Sequence, residues 1–182
     1  MSRKYKFRDQ EQLYFVSFAV VYWIDVFIRN EYKNILLESF EYCQKNKGLE
    51  IYAYCIMTSH VHLIIGTHGN NMEDILRDLK SYTSRRMKHA VEEHPQESRR
   101  EWMLWMMKRA GKKNGNNKDY QFWQQHNHPI ELNTNEMIDQ RLDYLHNNPV
   151  EAGIVSNPED YVYSSAKDYA EEKGLIEIEL IQ

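Results

Sequence analysis

The chain has only two cysteines, Cys43 and Cys55, which form no C-x-x-C pair and are too few for a disulfide scaffold. A small secreted module is thereby disfavoured, and both thiols are expected to be reduced in a cytoplasmic protein. No apolar run is long enough to span a bilayer, so no membrane partner is expected. The basic opening followed by the apolar run 13–24 resembles a signal peptide in outline. That run is rich in Tyr, Phe and Trp and meets Asp25 without a small-residue cleavage site, so a core strand fits it better. An excess of positive charge is also lacking. The 23 Lys and Arg against 27 Asp and Glu leave a net charge of −4, with a pI near 6.1. A protein that coats nucleic acid through a broad basic surface is excluded, and any such contact must be local. There are no internal repeats.

What is present is enough for a real core. Hydrophobic residues make up 42% and aromatics 13% of 182 residues, which removes the chain from the disordered class and fits one folded domain. Basic residues gather in three places: Arg3, Lys4, Lys6 and Arg8; Lys80, Arg85, Arg86 and Lys88; and Lys108, Arg109, Lys112, Lys113 and Lys118. Each group alone reads equally as solvated surface. As local contacts to a polyanion, the candidates are Lys80, Arg85, Arg86, Lys112 and Lys113.

Residues 13–21 are β-branched and aromatic, as a strand buried on both faces requires. Over 31–47, Tyr32, Ile35, Leu36, Ser39, Phe40 and Cys43 recur at helical spacing before Gly48. The runs 50–57 and 60–67 are separated only by Thr58 and Ser59, which predicts an antiparallel hairpin. A second helix is predicted over 71–94, with Pro95 closing it. The pattern weakens over 96–120. There Trp102, Leu104, Trp105 and Met106 are expected to pack inside, and the segment 111–118, GKKNGNNK, is expected to be a mobile basic loop. Short extended pieces follow at 120–123 and 130–132. Asn133 with Glu136 suggests a capping box opening a helix that Pro149 ends. This order predicts an α+β fold, a ferredoxin-like split β-α-β sandwich with an antiparallel sheet and helices on one face.

His60 and His62 are the sharpest feature. Residues two apart on a strand face the same side, so both imidazoles would project together while Val61, Leu63 and Ile65 are buried opposite. Alone, the pair is equally compatible with metal ligation and with polar surface. Tyr144 and Asn148 are four apart on the last helix and share a face, a phenol beside an amide oxygen. Taken alone, Tyr144 reads better as an aromatic core contact and Asn148 as a helix stop. Because Pro149 disfavours the helical conformation before it, Asn148 is expected at the helix end, its side chain turned from the axis. His146 points to another face. His126 and His128 read as loop residues, and Phe122 and Trp123 as core.

The combination of MTSHVHLII at 57–65, FWQ at 122–124, DYLHNNPVEAG at 143–153 and YVYSS at 161–165 resembles the single-tyrosine HUH transposases. The branch it is similar to is that of the REP-associated tyrosine transposases, over residues 14–169. The resemblance implies that His60, His62 and Asn148 hold a divalent cation, Mg²⁺ or Mn²⁺, and that Tyr144 is the nucleophile. It also implies a 5′ phosphotyrosine link with a free 3′ hydroxyl, and single-stranded DNA with hairpin structure as the partner, in the cytoplasm at the nucleoid. Monomer and homodimer both remain open. The chain departs from the family at Thr58 and Ser59, where Pro and Asn often stand, and in the Lys- and Asn-rich segment 108–118. On this view residues 1–182 form one catalytic domain with a mobile basic loop at 108–119 and a C-terminal extension from about 170.

The chemistry accounts for the residue types. Phosphodiester cleavage needs negative charge neutralised on the non-bridging oxygens while an oxygen attacks in line, and a divalent cation does both. Imidazoles favour Mn²⁺-like ions, whereas Mg²⁺ prefers oxygen ligands. A phenol ordinarily ionises near pH ~10 and gains from a nearby cation. A phosphotyrosine ester keeps the bond energy for rejoining, which water would lose. Two alternatives stay open: a domesticated module that binds single-stranded DNA or RNA hairpins without cutting, and a metal-dependent hydrolase that would need further acidic or histidine ligands.

Overall fold

Alternation of apolar side chains on the first strand decides how the layers stack. In the computed structural model, which describes residues 7, 9–115 and 119–181, β1 (Leu13–Ala19) buries Tyr14, Val16 and Phe18 on one face and Phe15 on the other. With β2 (Leu49–Ile56), β3 (His60–Thr67) and β4 (Ile130–Leu132) it forms a sheet in the order β2-β3-β1-β4. All neighbours are antiparallel. β1 and β2 lie on either side of β3, as the split β-α-β arrangement requires.

α1 (Asn30–Lys47) and α2 (Met72–Glu93) cover one face, as expected. Their ends follow local chemistry. Gly48 closes α1 at φ 67°, and a Cβ there would collide with the His68 carbonyl oxygen, so glycine is required. Asn71 caps α2 by accepting from the Asp74 amide at 3.2 Å. The other face is not bare. α4 (Asn135–Glu151) lays Leu145, with Met137, Ile138 and Leu142, against Phe15, Ala53, Cys55 and Ile64. A register shift between Ile51 and Ala53 turns β2 so that Tyr54 and Ile56 face α1 and α2 while Ala53 and Cys55 face α4.

Several expectations are corrected. β1 stops at Ala19 rather than 21, because the Val20 and Val21 amides bond instead to the Ser59 and Phe122 carbonyls. Residues 100–112 are helical: α3 (Arg100–Lys112) includes Lys108, Arg109 and Lys112, which were expected in a loop. Its buried residues are Met103, Met107, Ala110 and Gly111, at helical spacing along one face. Trp102 and Trp105, expected inside, are exposed, and Leu104 and Met106 are only partly buried. Of the basic loop, 116–118 lie outside the described residues. The last helix is capped by Thr134 rather than Asn133, with Thr134 Oγ1 accepting from the Met137 amide at 3.3 Å. It runs through Pro149 to Glu151, where only a last-turn bond is lost. After α5 (Ala166–Tyr169), the C-terminal segment folds back, with the Glu179 amide bonded to the Ile51 carbonyl and Ile176 buried. No helix among the described residues is long and apolar enough to cross a membrane.

The turn between α2 and α3 is tied to the start of α1 by Glu97, whose side chain is 1% exposed. It accepts from Arg29 Nε at 3.0 Å, Tyr32 Oη at 3.2 Å and the Arg99 amide at 3.1 Å. Stranding a buried charge costs about 3–5 kcal/mol. Here the two guanidinium groups left behind are 30% and 32% exposed and can recover water. Glu97→Ala is therefore expected to lower the unfolding free energy by about 2–3 kcal/mol, read from urea denaturation; a loss below about 1 kcal/mol would mean that the cluster behaves as surface pairs.

Candidate active site

The β1–β3 register places Ala19 opposite His60 and Ser17 opposite His62, so both imidazoles stand on the α4 face of the sheet. Their ring centroids are 4.8 Å apart. His62 is buried and stacks on Phe15 at 5.5 Å. Its Nδ1 lies 2.6 Å from Ser17 Oγ, while its Nε2 is buried with no hydrogen-bond partner. An orphaned buried nitrogen is costly unless something occupies the space before it, and a second-sphere bond on the other nitrogen is how a ligating histidine is held. His60 Nδ1 lies 3.3 Å from Ser59 Oγ. Burial pushes the His62 imidazole down to about 3, helped by the positive potential of His60 and Arg141. Burial also lowers His60, partly offset by a side-chain hydrogen bond to Asn148.

α4 brings Arg141, Tyr144 and Asn148 to the same place, three and four residues apart along one face. The Tyr144 ring is 5.3 Å from the His62 ring and 6.0 Å from Phe15, and its side chain is 40% exposed. Asn148 does not turn away from the helix as expected, because the helix continues past it. Its amide nitrogen donates to the Tyr144 carbonyl at 3.4 Å. The effect of Asn148 on His60 is that of an accepting oxygen, which favours the charged ring. Two imidazoles, an amide side chain and a phenol are thus gathered between β3 and α4, and two imidazoles with one amide oxygen are a donor set that fits a divalent cation with positions left for phosphate and water. Among the described residues no group of three or more His, Cys, Asp or Glu side chains could hold a metal.

The basic candidates scatter. Lys80 points inward, its ammonium donating to the Gln124 carbonyl at 2.9 Å and to Asn127 Oδ1 at 2.7 Å, with burial pulling it down to about 8. It anchors the segment after FWQ rather than offering charge to a ligand. Arg85 and Arg86 are exposed on α2, across the sheet from the imidazoles, and Arg86 pairs with Glu38 at 3.5 Å. Lys112 ends α3 and Lys113 caps it, both exposed. Arg3, Lys4, Lys6, Arg8 and Lys118 lie outside the described residues. His146 is structural: its Nε2 lies 2.8 Å from Ser165 Oγ, and burial lowers it to about 4. Phe122 and Trp123 are core, with Trp123 Nε1 donating to Thr83 Oγ1 at 2.9 Å. His126 and His128 sit in the loop before β4, their rings 6.0 Å apart.

Three residues at the site escaped sequence reasoning. Ser17 is the one hydroxyl side chain that β1 turns toward an imidazole, a signal visible as a lone serine in LYFVSFA. Phe15, which stacks on His62, gave no signal beyond a hydrophobic strand. Arg141 places its guanidinium carbon 5.2 Å from the centre of the Phe15 ring and makes no ion pair among the described residues. Its spacing to Tyr144 was legible, but its orientation was not.

The family described as "Transposase IS200 like" matches residues 12–120, more than half of the chain. No curated protein matches the sequence. Among solved structures, a REP-associated tyrosine transposase bound to a REP hairpin superposes with a TM-score of 0.66 at 17% identity, covering 100% of this chain and 92% of that one. A putative transposase from Deinococcus radiodurans aligns at 27% identity over 49% of this chain and 68% of its own, with a TM-score of 0.37.

Three imidazoles held low, those of His62 and His146 buried and that of His60 half-buried, have a measurable consequence. Each stays neutral in the fold below an unfolded histidine's ordinary 6.5 and takes up its proton on unfolding. The stability they contribute is complete above pH 6.5 and is lost as pH falls toward the folded values, up to about 1.4 kcal/mol per pH unit for each group. With a chelator present, unfolding at pH 5.5 is expected to take up protons by calorimetry in paired buffers, and His146→Gln to remove about one of them. An unfolding free energy that is flat from pH 6.5 to 4.5 would contradict neutral burial.

Proposed function

Because the chain belongs to the IS200-like transposase family, we propose that it is a single-strand DNA endonuclease and strand transferase acting through Tyr144. The observation that carries this reading is the phenol ring 5.3 Å from His62, whose Nε2 is buried without a partner. A phenol and a buried imidazole nitrogen without a hydrogen-bond partner are brought together from a helix and a strand far apart in sequence. The family match stops at residue 120, so the part assigned to Tyr144 and Asn148 rests on this geometry and on the motif that contains them.

A divalent cation, Mg²⁺ or Mn²⁺, held by His60, His62 and Asn148 would neutralise phosphate charge and align the scissile linkage. Ser17 fixes the His62 ring, and burial keeps both imidazoles unprotonated and able to ligate. Tyr144 Oη attacks the phosphorus: the Oη–P bond forms, the P–O3′ bond breaks, the phenol proton passes to solvent and the 3′ oxygen gains one. Attack by another strand's 3′ hydroxyl reverses the step and releases the tyrosine, so strands are rejoined without ATP. Arg141, without an ion pair among the described residues and three residues before Tyr144, supplies positive charge near the phosphate. The DNA partner is single-stranded with hairpin structure, a reading supported by the fold shared with a transposase bound to a REP hairpin.

Tyr144→Phe keeps the ring, so binding to single-stranded hairpin oligonucleotides is expected to persist while nicking and the covalent protein–DNA adduct vanish together on a denaturing gel with Mn²⁺. His60→Ala with His62→Ala is expected to cut cleavage by about a hundredfold or more although the phenol remains. Nicking at the normal rate by Tyr144→Phe would assign the attack to water or another tyrosine. Adduct-free binding by the wild type would instead mark a non-cleaving hairpin module.

The exposed end of α3 carries the charge prediction. Replacing Lys112 and Lys113 by Glu is expected to weaken binding to every oligonucleotide and to flatten the salt dependence by a slope of about 1.4, two phosphate contacts at about 0.7 each. Unchanged affinity at low salt would remove this end of the helix from the DNA path.

A further inference from the structure

Immediately after β1 the backbone adopts a conformation that its side chains disfavour. Tyr22 and Trp23 have φ of 55° and 56°, a left-handed region that residues with a bulky Cβ enter only when their surroundings impose it. A turn alone would be served by Gly or Asn. The surroundings do impose it. The Val20 amide bonds to the Ser59 carbonyl at 2.9 Å, Val21 to Phe122 at 2.8 Å, Trp23 to Val20 at 3.0 Å, and Phe27 to Thr58 at 2.8 Å. Val21 and Ile24 take the buried positions, and the two aromatics are turned outward, Tyr22 43% and Trp23 60% exposed.

Where they point is informative. The Trp23 indole meets the His60 ring edge to face at 5.4 Å, so it borders the candidate cation site. Tyr22 lines an open groove with Lys113, Asn114, Gln121 and Gln124. Two rigidly held aromatic faces therefore lead from the imidazoles toward the exposed cation at the end of α3. Unpaired bases stack on such faces whatever their sequence, while cations follow the backbone beside them.

We propose that Tyr22 and Trp23 form a stacking platform for unpaired nucleotides adjoining the scissile phosphate, Trp23 taking the base nearest the cation site and Tyr22 the next toward Lys113. This rests on the reading that DNA is cut at His60, His62, Asn148 and Tyr144. The strained turn is what fixes the platform: it aims two large side chains away from the core that would otherwise absorb them. Trp23 is a positioning residue, setting where the strand lies before Tyr144 attacks.

The test uses hairpin oligonucleotides with and without single-stranded tails, carrying 2-aminopurine at successive tail positions. The wild type is expected to quench the probe at one or two positions next to the hairpin foot. Trp23→Ala is expected to lose that quenching and to bind tailed hairpins about tenfold more weakly, with the loss confined to the tailed forms. Trp23→Phe is expected to restore most of it. Trp23→Gly relaxes the backbone, so it should melt no lower than the wild type yet bind as poorly as Trp23→Ala, separating stacking from folding. Wild-type affinity and quenching in Trp23→Ala, or equal weakening of tailed and tailless hairpins, would overturn the platform while leaving cutting by Tyr144 intact. Failure of the wild type to bind or cut any hairpin would overturn the reading of the site, and the platform with it.

Discussion

Everything at the site hangs on the pairing of β1 with β3. That ladder sets Ser17 against His62 and Ala19 against His60, and a slip of one residue would turn both imidazoles into the layer beneath α1 and α2. The slip is barred from both sides. Val16, Phe18, Val61, Leu63 and Ile65 fill one core, and Phe15 and Ile64 belong to the other. A strand buried on both faces has no polar side to exchange, so its register is set by two independent packings at once. Ser17 is the exception to the apolar pattern, and its hydroxyl holds the ring of the histidine opposite it.

The phenol must also be held at a fixed distance from those rings, and the segment after α4 provides this. Tyr161 donates its hydroxyl to the Ile56 carbonyl at 2.8 Å, and the Ser165 amide bonds to the Tyr54 carbonyl at 2.9 Å. His146 on α4 reaches Ser165 Oγ at 2.8 Å. One strap thus joins the sheet edge to the inner face of the helix, while Leu145 seals the gap between them. Through these bonds Tyr161 and Ser165 set the height of the helix above the imidazoles.

Period-two and period-3.6 patterns made most of the fold legible. The hairpin around Thr58 and Ser59, the stripes of α1 and α2 and the shared face of His60 and His62 follow from side-chain geometry alone. What failed was whatever depends on partners distant in sequence. α3 was hidden because bulky tryptophans suggest a buried face, while the side chains that dock are Met103, Met107 and Ala110. Proline is normally a stop, but Pro149 falls in the last turn, where it forfeits little. Lys80 reads as a surface cation until Gln124 and Asn127 fold over it. The outward turn of Trp23 has no sequence signal, since its conformation is imposed by the carbonyls of Ser59, Phe122 and Thr58 around it.

An acidic chain that acts on a polyanion must ration its contacts. Of the five cations named as DNA contacts, Lys80 serves the fold, Arg86 pairs with Glu38, and Arg85 shares with Arg86 a helix on the far side of the sheet. The pair left is Lys112 and Lys113 at the end of α3, of which Lys113 lines the Tyr22 groove, and Arg141 adds charge beside the imidazoles. So few contacts give weak binding to arbitrary DNA, because non-specific affinity scales with the phosphates neutralised. Under the proposed reading, affinity has to come from shape and stacking, which a folded hairpin with an unpaired flank supplies and a plain duplex does not. On that reading, restraint in charge favours a folded hairpin over arbitrary DNA, because the contacts that discriminate are those of shape and stacking rather than of bulk charge.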